Sequence, residues 1–414
     1  MKFGLRNIRA LLEYAGNPHL RIRTIHVAGT NGKGSTSSFI ASILMECGLK
    51  TGLYTSPHLV RLSERIRIDG REISERRIVN YVDHLRPAIE ESLATFFEAT
   101  TCLAFQYFAD EGVDIAVIET GLGGRLDSTN VLTPLVSVIT SLSMDHAEIL
   151  GPTIASIARE KGGIIKRGIP CVTSSTDTVA LRVLDRIAGQ RRTKVYRSWR
   201  DVRIIPGSRT GHDEISLRGR DLRTGFLVPG LAGKHQSENA QLAVRTCEIL
   251  RRTGVSFASR ITVKAAERGL CRVRANTGIR GRRERVRYKG VPILLDVGHN
   301  VDGVRVLTNS LKGSGFERPV VLFGVLSDKD GTAMIRTLAG MASHIVGVVP
   351  STARALRMNA LTRIVRQFPV PFTRGGSVRK GLQRALRLAK GRAMLVTGSH
   401  YVVGEVIALL EKDR

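Results

Sequence analysis

Two spacings of apolar residues alternate along the chain, and together they predict an α/β protein. Apolar runs at 22–28, 51–54, 113–118, 134–139 and 169–173 have the length of buried strands. Between them, apolar residues recur at helical spacing over 5–14, 37–47, 75–97 and 101–109. Asp69-Gly70, set between 65–68 and 71–73, predicts a hairpin. Strands that are apolar throughout and separated by helices belong to a parallel sheet covered on both faces. From 195 to 228 the pattern changes to short alternating segments, which predict an antiparallel β appendage, and a helix follows over 236–252. A break near Asn276-Thr277-Gly278 opens a second α/β unit with strands at 291–295, 320–323, 344–349 and 393–396. Two domains are expected, 1–277 and 278–414.

The candidate chemistry sits where these strands end. Thr30-Asn31-Gly32-Lys33-Gly34-Ser35 joins the strand at 22–28 to the helix at 37–47, the strand–turn–helix context of a phosphate loop. Glycines let the backbone approach a polyphosphate, amides and a helix N-terminus add positive potential, and Lys33 adds a point charge. The spacing is an unusual subtype: Val27 stands where the first glycine of the common pattern would be, and Gly34 separates Lys33 from Ser35. Other strand ends carry Ser56, Glu119 and Asp145-His146, with Lys161 further on. Read singly, Glu119 is equally a strand-end charge and His146 a turn histidine. Grouped after successive strands, these residues favour a nucleotide with Mg²⁺, because a carboxylate, a hydroxyl and phosphate oxygens are hard ligands. No Ser/His/Asp spacing and no G-x-S-x-G elbow supports a covalent hydrolase.

Composition changes this picture in one respect. The chain has 414 residues, 42% of them hydrophobic, and a formal net charge of +28. Such a charge fits either a polyanionic partner or arginines spread over solvated faces. The densest run, 280–289, has Tyr288 as its one aromatic and no nucleic-acid-binding pattern around it, so the second reading is preferred. No nucleic acid and no membrane is expected as partner, since no apolar run reaches about eighteen residues and no signal core opens the chain. Five scattered cysteines fit a reduced, cytoplasmic protein without a zinc site.

The longer motifs carry a resemblance. Residues 26–35, Thr55-Ser56-Pro57-His58-Leu59 and the segment 119–130 are similar to those of the folylpolyglutamate synthase/dihydrofolate synthase family, within the Mur-ligase-like ATP-dependent ligases. So are Asp145-His146, Arg159-Glu160-Lys161-Gly162-Gly163, residues 233–240 and Asp296-Val297-Gly298-His299-Asn300. Val301 replaces the proline common after His-Asn, and Gly298 the usual alanine. The implied fold is a P-loop-containing Mur-ligase-like central domain followed by a smaller Rossmann-like α/β C-terminal domain.

The resemblance implies roles residue by residue. Gly32, Lys33, Gly34 and Ser35 would cradle ATP phosphates, with Asn239, Arg282 and Asp296 completing the nucleotide contacts. Ser56, Glu119 and His146 would bind Mg²⁺, joined by Lys161 as its carbamate; a lysine paired with Glu160 is the plain alternative. Lys33, Lys161, His146 and Glu119 form the expected catalytic set. Thr95, Phe96, Phe97, Glu98, Leu126, Asp127, Ser128 and His299 match substrate segments, while core packing is the alternative for the two phenylalanines. Asp328, Lys329 and Ser399 match further second-domain motifs. The implied reaction adds L-glutamate to folate or dihydropteroate by way of an acyl phosphate, in a monomer. The competing expectations are a Mur-type ligase acting on another carboxylate and a basic nucleic-acid-binding protein.

Overall fold

The computed structural model describes residues 4–208, 213–311 and 313–413. The chain forms two compact units, Met1–Pro57 with Leu62–Ile279, and His58–Arg61 with Arg280–Arg414. Each is an α/β sandwich around its own sheet.

The first unit holds strands β1 (Thr24–Ala28), β2 (Thr51–Tyr54), β3 (Ile66–Ile68), β4 (Arg71–Glu72), β5 (Ile115–Glu119), β6 (Val136–Ile139), β7 (Cys171–Thr173) and β8 (Val195–Arg197). They lie in the order β4-β3-β2-β5-β1-β6-β7-β8. The six strands from β2 to β8 in that order run parallel, and the β3–β4 hairpin adds an antiparallel edge. Alternation along β5 explains why both faces need cover. Ile115 and Val117 enter one core, Ala116 and Ile118 the core on the other side. The helix Lys33–Glu46 covers the first face and is itself wrapped by the helices Lys234–Arg252 and Val263–Cys271. That wrapping accounts for its unbroken buried stretch from Gly34 to Leu44. The helices touch closely at Gly269, where a Cβ would lie 2.5 Å from the Ile43 Cα, and Ser42 donates to the Gly269 carbonyl at 2.7 Å.

Part of the expected β appendage proves different. β8 continues the main sheet in parallel beside β7, and among the described residues only β9 (Arg203–Pro206) and β10 (Ile215–Arg218) form a separate antiparallel pair. β8 is three residues long and half-buried throughout, so its pattern looks the same as that of a hairpin strand. The boundary between the helices expected over 75–97 and 101–109 falls earlier, for the helices are Glu75–Ser92 and Phe96–Asp110. Leu93 turns left-handed at φ 51°, and Thr95 caps the second helix.

The second unit has β11 (Glu284–Tyr288), β12 (Val291–Leu295), β13 (Val320–Phe323), β14 (His344–Val349), β15 (Phe372–Ser377) and β16 (Met394–Thr397), in the order β11-β12-β16-β13-β14-β15. All pair in parallel except β11, which runs antiparallel to β12 at one edge. Neither edge strand was anticipated. β11 coincides with the basic run, and β15 reads Phe-Thr-Arg-Gly-Gly-Ser with one large apolar residue. Edge strands bury little and can be polar, which removes the pattern that reveals central strands.

Candidate active site

The sheet order of the first unit gathers the chemistry. β2, β5, β1 and β6 are successive neighbours, and all four run parallel. Their carboxyl ends therefore present, side by side, Ser56, Glu119, the loop 29–32 and the segment leading to Asp145-His146. Direct contacts tie them together. The Ser56 backbone N–H donates to Glu119 Oε2 at 3.1 Å. Thr30 N–H donates to the Ser141 carbonyl at 2.9 Å, and Thr140 Oγ1 donates to the Asn31 carbonyl at 2.7 Å. Thr30 Oγ1 donates to the Ser143 carbonyl at 3.1 Å. Residues 140–143, absent from the expected set, are thus what stitches the phosphate loop to the His146 turn. Their position after a fourth apolar strand was the available signal.

Two glycines make the loop possible. Gly29 (φ 149°) passes so close to Thr140 that a Cβ would sit 1.8 Å from its Oγ1. At Gly32 (φ 86°), the residue before the helix, a Cβ would sit 2.4 Å from Asn239 Oδ1. Asn239 is therefore brought against the phosphate loop from the distant helix Lys234–Arg252, where it also accepts from Thr36 Oγ1 at 3.3 Å. The helix begins at Lys33, so the backbone N–H groups of Lys33, Gly34 and Ser35 open its positive end. Lys33 Nζ rests on the Thr30 carbonyl at 3.3 Å. Lys161, 5% exposed, donates from Nζ to the Gly29 carbonyl at 2.8 Å. His146 adopts a left-handed conformation (φ 51°), with its Nε2 3.9 Å from Asp145 Oδ2.

Among the described residues, no three His, Cys, Asp or Glu side chains gather as a metal cluster. The donor types at the site still suit Mg²⁺: Glu119 supplies a buried carboxylate and Ser56 a hydroxyl. Hard cations that keep several water and phosphate oxygens need few protein ligands.

The expected substrate residues divide into two kinds. Phe96 is 57% exposed, and the Arg65 guanidinium stands over its ring at 5.3 Å. Phe97 packs inward, its ring against Tyr54 and so near Gly121 that a Cβ there would meet it at 2.5 Å. Thr95 and Glu98 bond one another's backbone in a capping box, Glu98 Oε2 accepting from Thr95 N at 2.7 Å. Leu126 is half-buried, whereas Asp127 and Ser128 are buried. Asp127 accepts from the backbone N–H of Leu122 at 2.8 Å and of Thr129 at 3.0 Å. Burial raises its pKa, and these hydrogen bonds oppose the rise. Behind it lies His26, fully buried and bonded through Nε2 to Thr129 Oγ1 at 2.8 Å. Burial, helped by the charge of Lys166, lowers the His26 pKa to about 3.

The second unit carries a set of its own at the ends of adjacent β12 and β16. Asp296 accepts from the N–H groups of Gly298 at 2.9 Å and Arg283 at 3.0 Å. Arg282 is half-buried beside Arg283, which holds a positive φ of 47°. The rings of His299 and His400 lie 5.0 Å apart, next to the helices that Asn300 and Ser399 cap. Lys329 pairs with Asp328 at 3.7 Å.

Comparison with known proteins fixes the lineage. Residues 27–247 match the Mur ligase middle domain, and residues 281–400 match the Mur ligase glutamate ligase domain. A Bacillus subtilis dihydrofolate synthase/folylpolyglutamate synthase is 38% identical over 355 residues, 83% of this chain and 80% of that protein. The chain belongs to the folylpolyglutamate synthase/dihydrofolate synthase family of Mur ligases. The folylpolyglutamate synthase of Thermotoga maritima superposes with a TM-score of 0.84 at 34% identity, covering 100% of this chain and 94% of that one. The Escherichia coli FolC structure, in complex with DHPP and ADP, gives a TM-score of 0.88 at 27% identity, covering 100% of this chain and 94% of that one. The two sheets, with the phosphate loop leaving β1, are thus the folylpolyglutamate synthase architecture.

Proposed function

We infer that this chain is an ATP-dependent ligase that joins L-glutamate to the carboxylate of a folate or of dihydropteroate. One observation carries the reading: four adjacent parallel strands deliver Ser56, Glu119, the phosphate loop and the His146 turn to one end of one sheet. Family membership supports the choice of substrates. We assign nucleotide binding to residues 1–277 and glutamate ligation to 278–414, in a cytoplasmic monomer.

The reaction balances in two steps. A substrate carboxylate oxygen attacks the γ-phosphorus of ATP in line, and ADP leaves with the electron pair of the broken P–O bond. The amine of glutamate then attacks the acyl carbon, phosphate departs, and an amide remains. The amides at the start of the helix Lys33–Glu46 and the Lys33 ammonium balance charge on the phosphoryl oxygens during the first step. Mg²⁺, when bound, supplies Lewis-acid neutralisation of phosphate charge; Ser56, Glu119 and His146 would hold it. Lys161 touches the loop at Gly29, so a carbamate on its nitrogen would exchange a cation for an anion beside that shell. Phe96, exposed and backed by the buried Arg65, offers a flat surface suited to an aromatic ring system such as a pterin. On the second unit, Asp296, Arg282 and His299 are assigned to the nucleotide and the incoming glutamate.

The test is ATP turnover with glutamate, measured separately with dihydropteroate and with tetrahydrofolate. Glutamate-dependent phosphate release with at least one of them, and a product one glutamate heavier, is expected. Turnover with neither overturns the reading.

A further inference from the structure

The positive charge is concentrated in one place. Between residues 331 and 404 the chain carries twelve Lys and Arg residues and no Asp or Glu. All twelve are exposed. They centre on β15, an edge strand of the second unit, and on the helices Met358–Val365 and Val378–Leu388 that precede and follow it. Leu361 and Val365 of the first helix enter the core on one face of the sheet, and Val378, Leu382 and Ala385 of the second enter the other. The two helices therefore flank the strand, and Arg363, Arg374, Arg379, Lys380, Arg384 and Arg387 surround a single edge.

This charge has little internal counterweight. Among the described residues Arg354 pairs with Asp328 at 3.0 Å, and the other eleven form no ion pair. Arg374 donates to Asn359 Oδ1 at 2.8 Å and Arg384 to the Arg374 carbonyl, both neutral acceptors. On the helix Val378–Leu388, Lys380 and Arg384 are one turn apart, as are Arg384 and Arg387, so like charges face each other. Arg379 and Lys380 also occupy the first turn, where the helix dipole opposes cations. An external polyanion would reverse all three penalties at once.

The chemistry of the face selects among polyanions. Arginine outnumbers lysine, and its guanidinium fork matches phosphate. Leu388 is the one exposed large apolar residue among those described between 331 and 400, too little for an interfacial membrane helix. The same stretch exposes no aromatic on which unpaired bases could stack. The expectation against nucleic acid rested on 280–289, and that run is the paired strand β11, with Arg280 bound to Glu284 and Glu411.

We propose that the β15 edge of the second unit docks the phosphate backbone of duplex nucleic acid without reading base sequence. A helix of this length is about 16 Å long and lies along about ten duplex phosphates, of which roughly half would be contacted.

The experiment titrates the full-length chain against a fluorescein-labelled RNA duplex of about 20 base pairs, by anisotropy, between about 50 and 200 mM salt. A log–log slope of about −4 is expected, so binding falls by roughly a few hundred-fold across that range. The variant Arg379→Gln, Lys380→Gln, Arg384→Gln, Arg387→Gln should bind at least tenfold more weakly at low salt, with a slope shallower by about three. Its glutamate-dependent ATP turnover should not change. Arg76→Gln, Arg182→Gln, Arg186→Gln, Arg220→Gln, which removes the same charge elsewhere, should bind as the parent does. Absence of duplex binding at the lowest salt overturns the proposal. So does equal weakening by the two variants, or binding to phosphatidylserine vesicles in place of the duplex.

Discussion

Phe96 and Phe97 are neighbours with opposite fates, and they show what a residue contributes beyond its type. Phe96 faces solvent under Arg65, whereas Phe97 is wedged against Gly121 and Tyr54. Phe96→Ala should raise the KM for the pterin substrate several-fold and leave the melting temperature alone. Phe97→Ala should destabilise the fold by about 3 kcal/mol, seen in urea unfolding. The reverse pattern would remove Phe96 from the site. Lys33→Ala should keep the melting temperature while turnover falls by roughly two orders of magnitude, because phosphate stabilisation is lost and no core contact is. His26 gives a pH signature. Its folded pKa is about 3, below the unfolded value of 6.5, so the folded state prefers the neutral ring. That contribution is complete above pH 6.5 and is lost as pH falls toward 3, at up to about 1.4 kcal/mol per pH unit. His26→Gln should flatten the stability profile between pH 6 and 4, measured by urea midpoints. Lys33, Glu119 and His146 could be read from the chain because each follows an apolar strand. Arg65 over Phe96 could not, since the pair joins separate elements, the turn before β3 and the helix Phe96–Asp110.

At the scale of elements, the central strands were legible and the edges were not. β5, β6 and β13 are apolar at nearly every position because both faces are covered, and β1 is buried throughout although Thr24 and His26 are polar. β11 hides its identity in alternating charge, with Arg285 and Arg287 outward and Val286 and Tyr288 half-covered. The break between the helices at 92 and 96 was written in the chain as Thr-x-x-Glu, a capping box that also falls in a substrate-like segment. Some elements are held by charges no periodicity announces. Glu248 is 0% exposed and accepts from the N–H groups of Asp221 and Leu222, at 2.7 and 2.9 Å, and from Arg245 at 2.8 Å. It anchors the segment after β10 to the helix Lys234–Arg252. Glu248→Ala should cost about 1–3 kcal/mol, because two backbone N–H groups lose their acceptor while Arg245 keeps Asp201 at 2.9 Å. A change below 1 kcal/mol in chemical denaturation would mean that water replaces the carboxylate.

At the scale of the whole molecule, the two-part organisation was visible as a restart of the strand–helix pattern near 276–278, yet its wiring was not. Residues His58–Arg61 belong to the second unit although they lie between β2 and β3 of the first. Leu59 and Val60 pack on the second unit's core, and Gly404 passes so near the Leu59 carbonyl that a Cβ would lie 2.0 Å from it. Four residues have too little pattern to declare an allegiance. The chain consequently crosses between the units three times, twice around this excursion and once near Ile279. A protease cut after Ile279 would leave two pieces that still hold each other, one lending a four-residue plug to the other. A gene fragment beginning at Arg280 would be born without that plug, its core open at Gly404. Adding a peptide of residues 56–63 to such a fragment should restore its cooperative melting, an outcome that calorimetry can read directly.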